Sequence, residues 1–161
     1  MSSQITILIV DDEAPIREVL KASLQDEGYH VVTASHGEEA VVMIKDLLPQ
    51  VVLLDIWMPG RIDGIEVLKQ TKPYVPQTEF VVMSGHGNIE TAVRATKLGA
   101  WDFVEKPLSM EKIFILITNI LLYQSEKQEK ASLLHRLRKN IAIIGEDPAL
   151  VQIKSSIARI A

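Results

Sequence analysis

Residues 51–59, Val-Val-Leu-Leu-Asp-Ile-Trp-Met-Pro, constrain the fold of this chain more than any other stretch. Four consecutive strand-forming apolar residues lead straight into a carboxylate, Asp55, and a proline follows shortly after. That is the pattern of a strand covered on both faces and ending at Asp55, because a sheet with one wet face would alternate apolar with polar positions. An acid placed where such a strand emerges either caps the next turn or takes part in chemistry in a crevice. The rest of the sequence decides between the two.

Residues 5–10 form another apolar run that stops at Asp11-Asp12-Glu13. Ala14-Pro15 then open a segment with apolar residues at Ile16, Val19, Leu20 and Leu24, so the order is strand, acidic loop, helix. Gly28 closes that helix, and residues 30–34 make a second strand. A helix with Ala40, Val41, Ile44 and Leu47 on one face follows and is closed by Pro49. Beyond the Asp55 strand come a loop over 60–64, a third helix with Ile65, Val67 and Leu68, and a fourth strand over 80–83 that ends at Ser84-Gly85. A fourth helix over about 88–98 is expected to turn Ile89, Val93 and Leu98 inward. The last short strand, over 101–104, ends at Glu105-Lys106-Pro107.

Five strands alternating with helices predict an α/β fold, a doubly wound parallel sheet with right-handed crossovers and helices on both faces. Ligands bind such sheets at the carboxyl ends of the strands. Asp11 and Asp12 follow strand one, Asp55 ends strand three, Ser84 ends strand four and Lys106 follows strand five. Periodicity alone thus gathers five polar groups on one edge of the sheet.

Three carboxylates in one crevice repel, each pair costing about 4 kcal/mol at ~4 Å and an effective dielectric near ~20. Lys106 supplies one compensating charge, and a hard divalent cation with oxygen ligands would supply two. With no histidine or cysteine among these groups, Mg²⁺ is the natural ion. Beside it an aspartate can attack a phosphoryl group, with lysine, hydroxyl and backbone N–H balancing the phosphoryl oxygens.

The segments ILIVDDE, VVLLDIWMP, VVMSGHG and FVEKP, in that order, resemble the receiver domain of a two-component response regulator over residues 5 to about 122. The resemblance implies a flavodoxin- or CheY-like strand order 2-1-3-4-5 and Asp55 as the phosphoryl acceptor. It implies metal binding by Asp12 directly, Asp11 through water, Asp55 and the Trp57 backbone carbonyl. Ser84 would be the switch hydroxyl, Lys106 the phosphate-pairing ammonium and Phe103 the switch aromatic. The segments SGHGNIETAV, DFVEKP and LDIW resemble NtrX-like members of the NtrC group of transcriptional activators, in which a receiver precedes an AAA+ ATPase and a DNA-binding helix-turn-helix. The implied partners are a sensor histidine kinase and a second copy of the chain, meeting through the helix 4, strand 5 and helix 5 face and the linker helix. DNA and sigma-54 RNA polymerase would be reached only through domains not in this chain, and no GxxxxGK[ST] phosphate loop is present. The expected product is a signalling switch and not an enzyme.

On this reading the domains are a receiver over 1–122, a helical linker over 123–139 and the start of an ATPase domain over 140–161. No Gly or Pro interrupts residues 109–139, so one long helix is possible there, with Ile113, Ile120, Lys127 and Leu134 at heptad a, and Leu116, Tyr123, Lys130 and Leu137 at d. The other possibility is a receiver helix ending near residue 123, followed by a polar tether. Composition agrees with a cytoplasmic, globular protein. The chain has 161 residues and no cysteine, its formal charge is −4, and its longest apolar run, over 113–123, is too short to span a bilayer. Three readings compete with a working receiver. A nucleotide-binding protein of similar architecture would carry a Gly-rich loop where this chain has Asp-Asp-Glu-Ala-Pro, and an aspartyl phosphatase would carry D-x-D there. A degenerate receiver used only for dimerisation would not need the full acidic and basic set.

Overall fold

The computed structural model describes residues 4–85 and 89–144. Ten elements follow one another: β1 (Thr6–Val10), α1 (Ala14–Asp26), β2 (His30–Ala34), α2 (Gly37–Leu47), β3 (Val51–Asp55), α3 (Gly64–Thr71), β4 (Glu79–Ser84), α4 (Ile89–Lys97), β5 (Asp102–Glu105) and α5 (Met110–Ile144). The strands form one parallel sheet in the order β2-β1-β3-β4-β5. β3 is central, paired with β1 on one side and β4 on the other, and all five of its residues are buried. The apolar run that reads as a two-face strand is therefore one.

The core clusters Leu8, Val10, Val52, Leu54, Phe80 and Val82 from the sheet with Ala40, Ile44, Ile65 and Leu68 from α2 and α3. Gly28 sits at φ +94°, where a side chain would be strained. Its N–H donates to the Gln25 carbonyl and the next N–H, of Tyr29, to Leu24, so α1 stops there with its last carbonyls satisfied. α3 is capped by Asp63, the residue before it, whose side chain accepts the Glu66 N–H at 2.9 Å. Asp63→Ala is expected to lower unfolding free energy by about 1 kcal/mol, the usual loss for a helix cap of this kind, measured by urea denaturation.

Two expectations fail in detail. Ile89 and Val93 do not face the core: they are 83% and 47% exposed, and α4 buries Ala95. Apolar spacing marks residues that share a helix face without saying which face is covered, and a small residue lets a helix approach the sheet closely. The last strand begins one residue later than expected and runs through Glu105.

The chain divides into two compact units, residues 1–120 and 121–161. In the first, Ile113, Leu116, Ile117 and Ile120 at the start of α5 are buried. In the second, the described residues continue α5 to Ile144, so the helix does not end near residue 123, and Leu133, Leu134 and Leu137 are about half exposed. The remainder of the expected ATPase-domain start, residues 145–161, lies outside the described residues.

Candidate functional site

β1, β3 and β4 run parallel, so the residues at their carboxyl ends meet at one edge. Asp55 closes β3 and is 3% exposed. Its Oδ1 accepts the Trp57 N–H at 3.2 Å, and its Oδ2 lies 3.3 Å from the Lys106 ammonium. Asp11, just past β1, is fully buried. Its Oδ1 accepts the Glu13 N–H at 2.9 Å and its Oδ2 accepts a bond from Lys106 Nζ at 2.8 Å. Lys106 also reaches Glu13 Oε2 at 3.5 Å, so one ammonium is shared by three carboxylates, two on the loop after β1 and one at the end of β3.

Lys106 is held from behind. Its backbone N–H donates to the Ser84 carbonyl at 2.8 Å, tying the end of β5 to the end of β4. Ser84 itself is fully buried, and pairs in register with Glu105. Phe103, partly buried, packs on the core and stands opposite Val82. The Trp57 side chain is half exposed, because strand pairing stops at Asp55 and the chain turns outward there.

Asp12 differs from its neighbour. It is exposed, and among the described residues its carboxylate takes part in no hydrogen bond or ion pair. Carboxylate oxygens of Asp11, Asp12 and Asp55 nevertheless all lie within 4.8 Å of one another. An all-oxygen set of this size, with one carboxylate open to water, fits a hard cation that retains several waters.

The electrostatics agree. Burial, and then the charge of Asp11, push the Asp55 carboxyl up to about 6, against the opposing pull of Lys106 and the Trp57 N–H. Burial works against the Lys106 charge, but the hydrogen bond to Asp11 and the charges of Asp55 and Asp11 outweigh it and hold the ammonium above its ordinary value. A single lysine leaves the cluster short of positive charge.

The sheet edge thus brings together Asp11, Asp55 and Lys106 by direct contact and Asp12 by proximity, with Ser84 at the adjoining strand end. Two participants carry no obvious sequence signal. Glu13 reads only as part of an acidic loop, yet touches Lys106. Arg17 donates from Nη1 to the Asp11 carbonyl oxygen at 2.7 Å. A basic residue in the first turn of a helix after an acidic loop was the one available hint.

A family model described as the response regulator receiver domain matches residues 7–118. The nitrogen assimilation regulatory protein NtrX of Azorhizobium caulinodans is 37% identical over 155 residues, covering 96% of this chain and 34% of that protein. The crystal structure of NtrX from Brucella abortus in complex with ADP superposes with a TM-score of 0.75 at 38% identity, over 86% of this chain and 34% of that one. The beryllofluoride-activated NtrC4 receiver domain dimer, solved in solution, gives a TM-score of 0.69 at 40% identity, over 74% of this chain and 98% of that one. The chain spans about a third of the length of the curated relatives it matches.

Proposed function

Because this chain belongs to the response regulator receiver domain family, we propose that it accepts a phosphoryl group on Asp55 from a phosphohistidine of a sensor histidine kinase. An Asp55 carboxylate oxygen forms the new O–P bond as the P–N bond breaks. The electron pair stays on the imidazole nitrogen. The observation that carries this reading is Lys106 bridging Asp55 and Asp11 while the Asp12 carboxylate, within 4.8 Å, is left for a cation.

Asp12 and Asp55, with the Trp57 carbonyl and with Asp11 through water, would hold Mg²⁺. When bound, the ion supplies positive charge to the phosphoryl oxygens. Lys106 neutralises another part of that charge and keeps the Asp55 oxygen oriented. The Trp57 N–H, already on Oδ1, stays as a donor on the acyl side. The Ser84 hydroxyl, turned toward a new phosphoryl oxygen, would open room for Phe103 and so alter the α4, β5 and α5 surface. Through that surface, and through the exposed leucines of the linker part of α5, two copies would pair. In the full-length protein, pairing would set how an adjoining ATPase domain assembles and so affect transcription from DNA. The setting is the cytoplasm, and among the described residues no helix is long and apolar enough to cross a membrane.

The chain has two tryptophans, so a Trp101→Phe background makes Trp57 the fluorescent reporter. Titration with Mg²⁺ is expected to give a saturable signal, and a small phosphodonor should then add the mass of one phosphoryl group only when Mg²⁺ is present. Asp12→Ala is expected to weaken Mg²⁺ at least about tenfold, since loss of a direct ligand should exceed the effect of losing an outer partner. A folded protein that neither responds to Mg²⁺ nor gains mass would be a module for assembly alone.

A further inference from the structure

We infer that Arg17 is a positioning residue for the cation site: it holds the Asp11–Asp12 peptide so that the Asp12 carboxylate faces Asp55. This rests on the Mg²⁺ reading above. The Asp11 carbonyl that receives the Arg17 bond belongs to the peptide joining Asp11 to Asp12. A planar peptide held at its oxygen has a fixed orientation, and that orientation sets where the next side chain leaves the backbone.

The other polar atoms of Asp11 are engaged too. Its N–H donates to the Ala34 carbonyl at 3.2 Å, Oδ1 accepts from Glu13, and Oδ2 accepts from Lys106. Asp11 is therefore clamped from four directions and cannot reorient to suit an ion. Asp12 has no such side-chain support among the described residues. What orders it is its backbone, and on its amino side that means Arg17.

Helix stability does not account for this arginine. It lies in the first turn of α1, where a positive charge opposes the helix dipole. Its backbone N–H donates to the Glu13 carbonyl at 3.2 Å, while its side chain reaches back over the same turn to the Asp11 carbonyl and ties α1 to the residue that follows β1. Residues 11–13, the acidic loop, are enclosed between these anchors.

The two effects open to Arg17 on a cation have opposite signs. As a bare charge it repels Mg²⁺, and removing it would tighten binding, with the gain fading in salt. As an anchor it spares the ion the cost of ordering Asp12, and removing it would weaken binding at any ionic strength. Arg17→Gln is expected to weaken Mg²⁺ roughly five- to tenfold by Trp57 fluorescence, as for loss of one charge-assisted hydrogen bond. The weakening should persist in high salt. The maximal phosphorylation rate at saturating Mg²⁺ should stay near that of the parent protein, so that the change falls on the metal dependence. Arg17→Lys, which keeps the charge but not the guanidinium reach, should fall between the two. Hydrogen exchange at the Glu13 amide should quicken in Arg17→Gln without Mg²⁺, with the thermal midpoint little changed. Unchanged or tighter Mg²⁺ binding in Arg17→Gln, with the parent responding normally, overturns the positioning role. No Mg²⁺ response in the parent protein removes the underlying cation reading instead.

Discussion

Asp55→Asn is expected to take up no phosphoryl group from a small phosphodonor, and in metal-free buffer near pH ~7.5 to be about 2–3 kcal/mol more stable than the unaltered chain. The first result follows from removing the attacking oxygen. The second follows from the carboxyl being raised from 3.8 to about 6 in the folded protein. A carboxylate raised in this way favours the folded state fully below its unfolded value, and that contribution is lost as pH rises through about 6. Above that the ionised, buried Asp55 works against folding. Asparagine stands in for the neutral form, keeps an oxygen for the Trp57 N–H, and leaves Lys106 to Asp11 and Glu13. The gain should shrink toward pH ~4, where the parent carboxyl is itself protonated, and also in saturating Mg²⁺, which relieves the parent's excess negative charge. Urea denaturation across that pH range, with intact mass measured in parallel, checks both halves. Undiminished mass gain in the variant would place the acceptor elsewhere, and equal stability at pH ~7.5 would mean the cluster carries no net repulsion.

Gly64→Ala should produce the largest loss, about 3 kcal/mol or more of unfolding free energy, together with a weakened Mg²⁺ response. Gly64 is the first residue of α3 and donates its N–H to the Ile56 carbonyl at 2.9 Å. A methyl group added there would collide with the Asp55 carbonyl oxygen and stand 2.6 Å from Ile56 Cα. These are backbone atoms at the end of the central strand, with no rotamer to turn away, so α3 must retreat or β3 must bend. Either response moves Asp55 relative to Lys106. A variant as stable as the parent would show that the start of α3 can shift freely. A destabilised variant with unchanged Mg²⁺ affinity would show that the site does not depend on this contact.

Much of this is legible in the sequence, for identifiable reasons. The parallel sheet and the edge on which Asp11, Asp12, Asp55, Ser84 and Lys106 gather follow from runs such as residues 51–54, which have no polar position to place in water. The orientation of α4 was not legible, because Ile89 and Val93 are spaced like core residues and only the packed molecule shows Ala95 against the sheet. Arg17 was hidden for a different reason. Its partner is a main-chain oxygen, which every residue possesses, so no pairing of residue types announces the bond. Gly64 reads as loop permissiveness in the sequence, whereas in the fold its lack of a side chain matters through the atoms pressed against it.

The two outer strands have a bearing on solubility. A parallel sheet left open at both sides offers rows of amide and carbonyl groups on which further strands could add, the first step toward fibrous polymerisation. Here one border, β5, is only four residues long, with an acid at each end, Asp102 and Glu105. The other, β2, begins with an exposed histidine. Acidic border residues of like sign repel when copies approach side by side, and four residues form too short a ladder to hold an incoming strand. This disfavours growth strand by strand and leaves helical faces as the easier way for copies of the chain to meet.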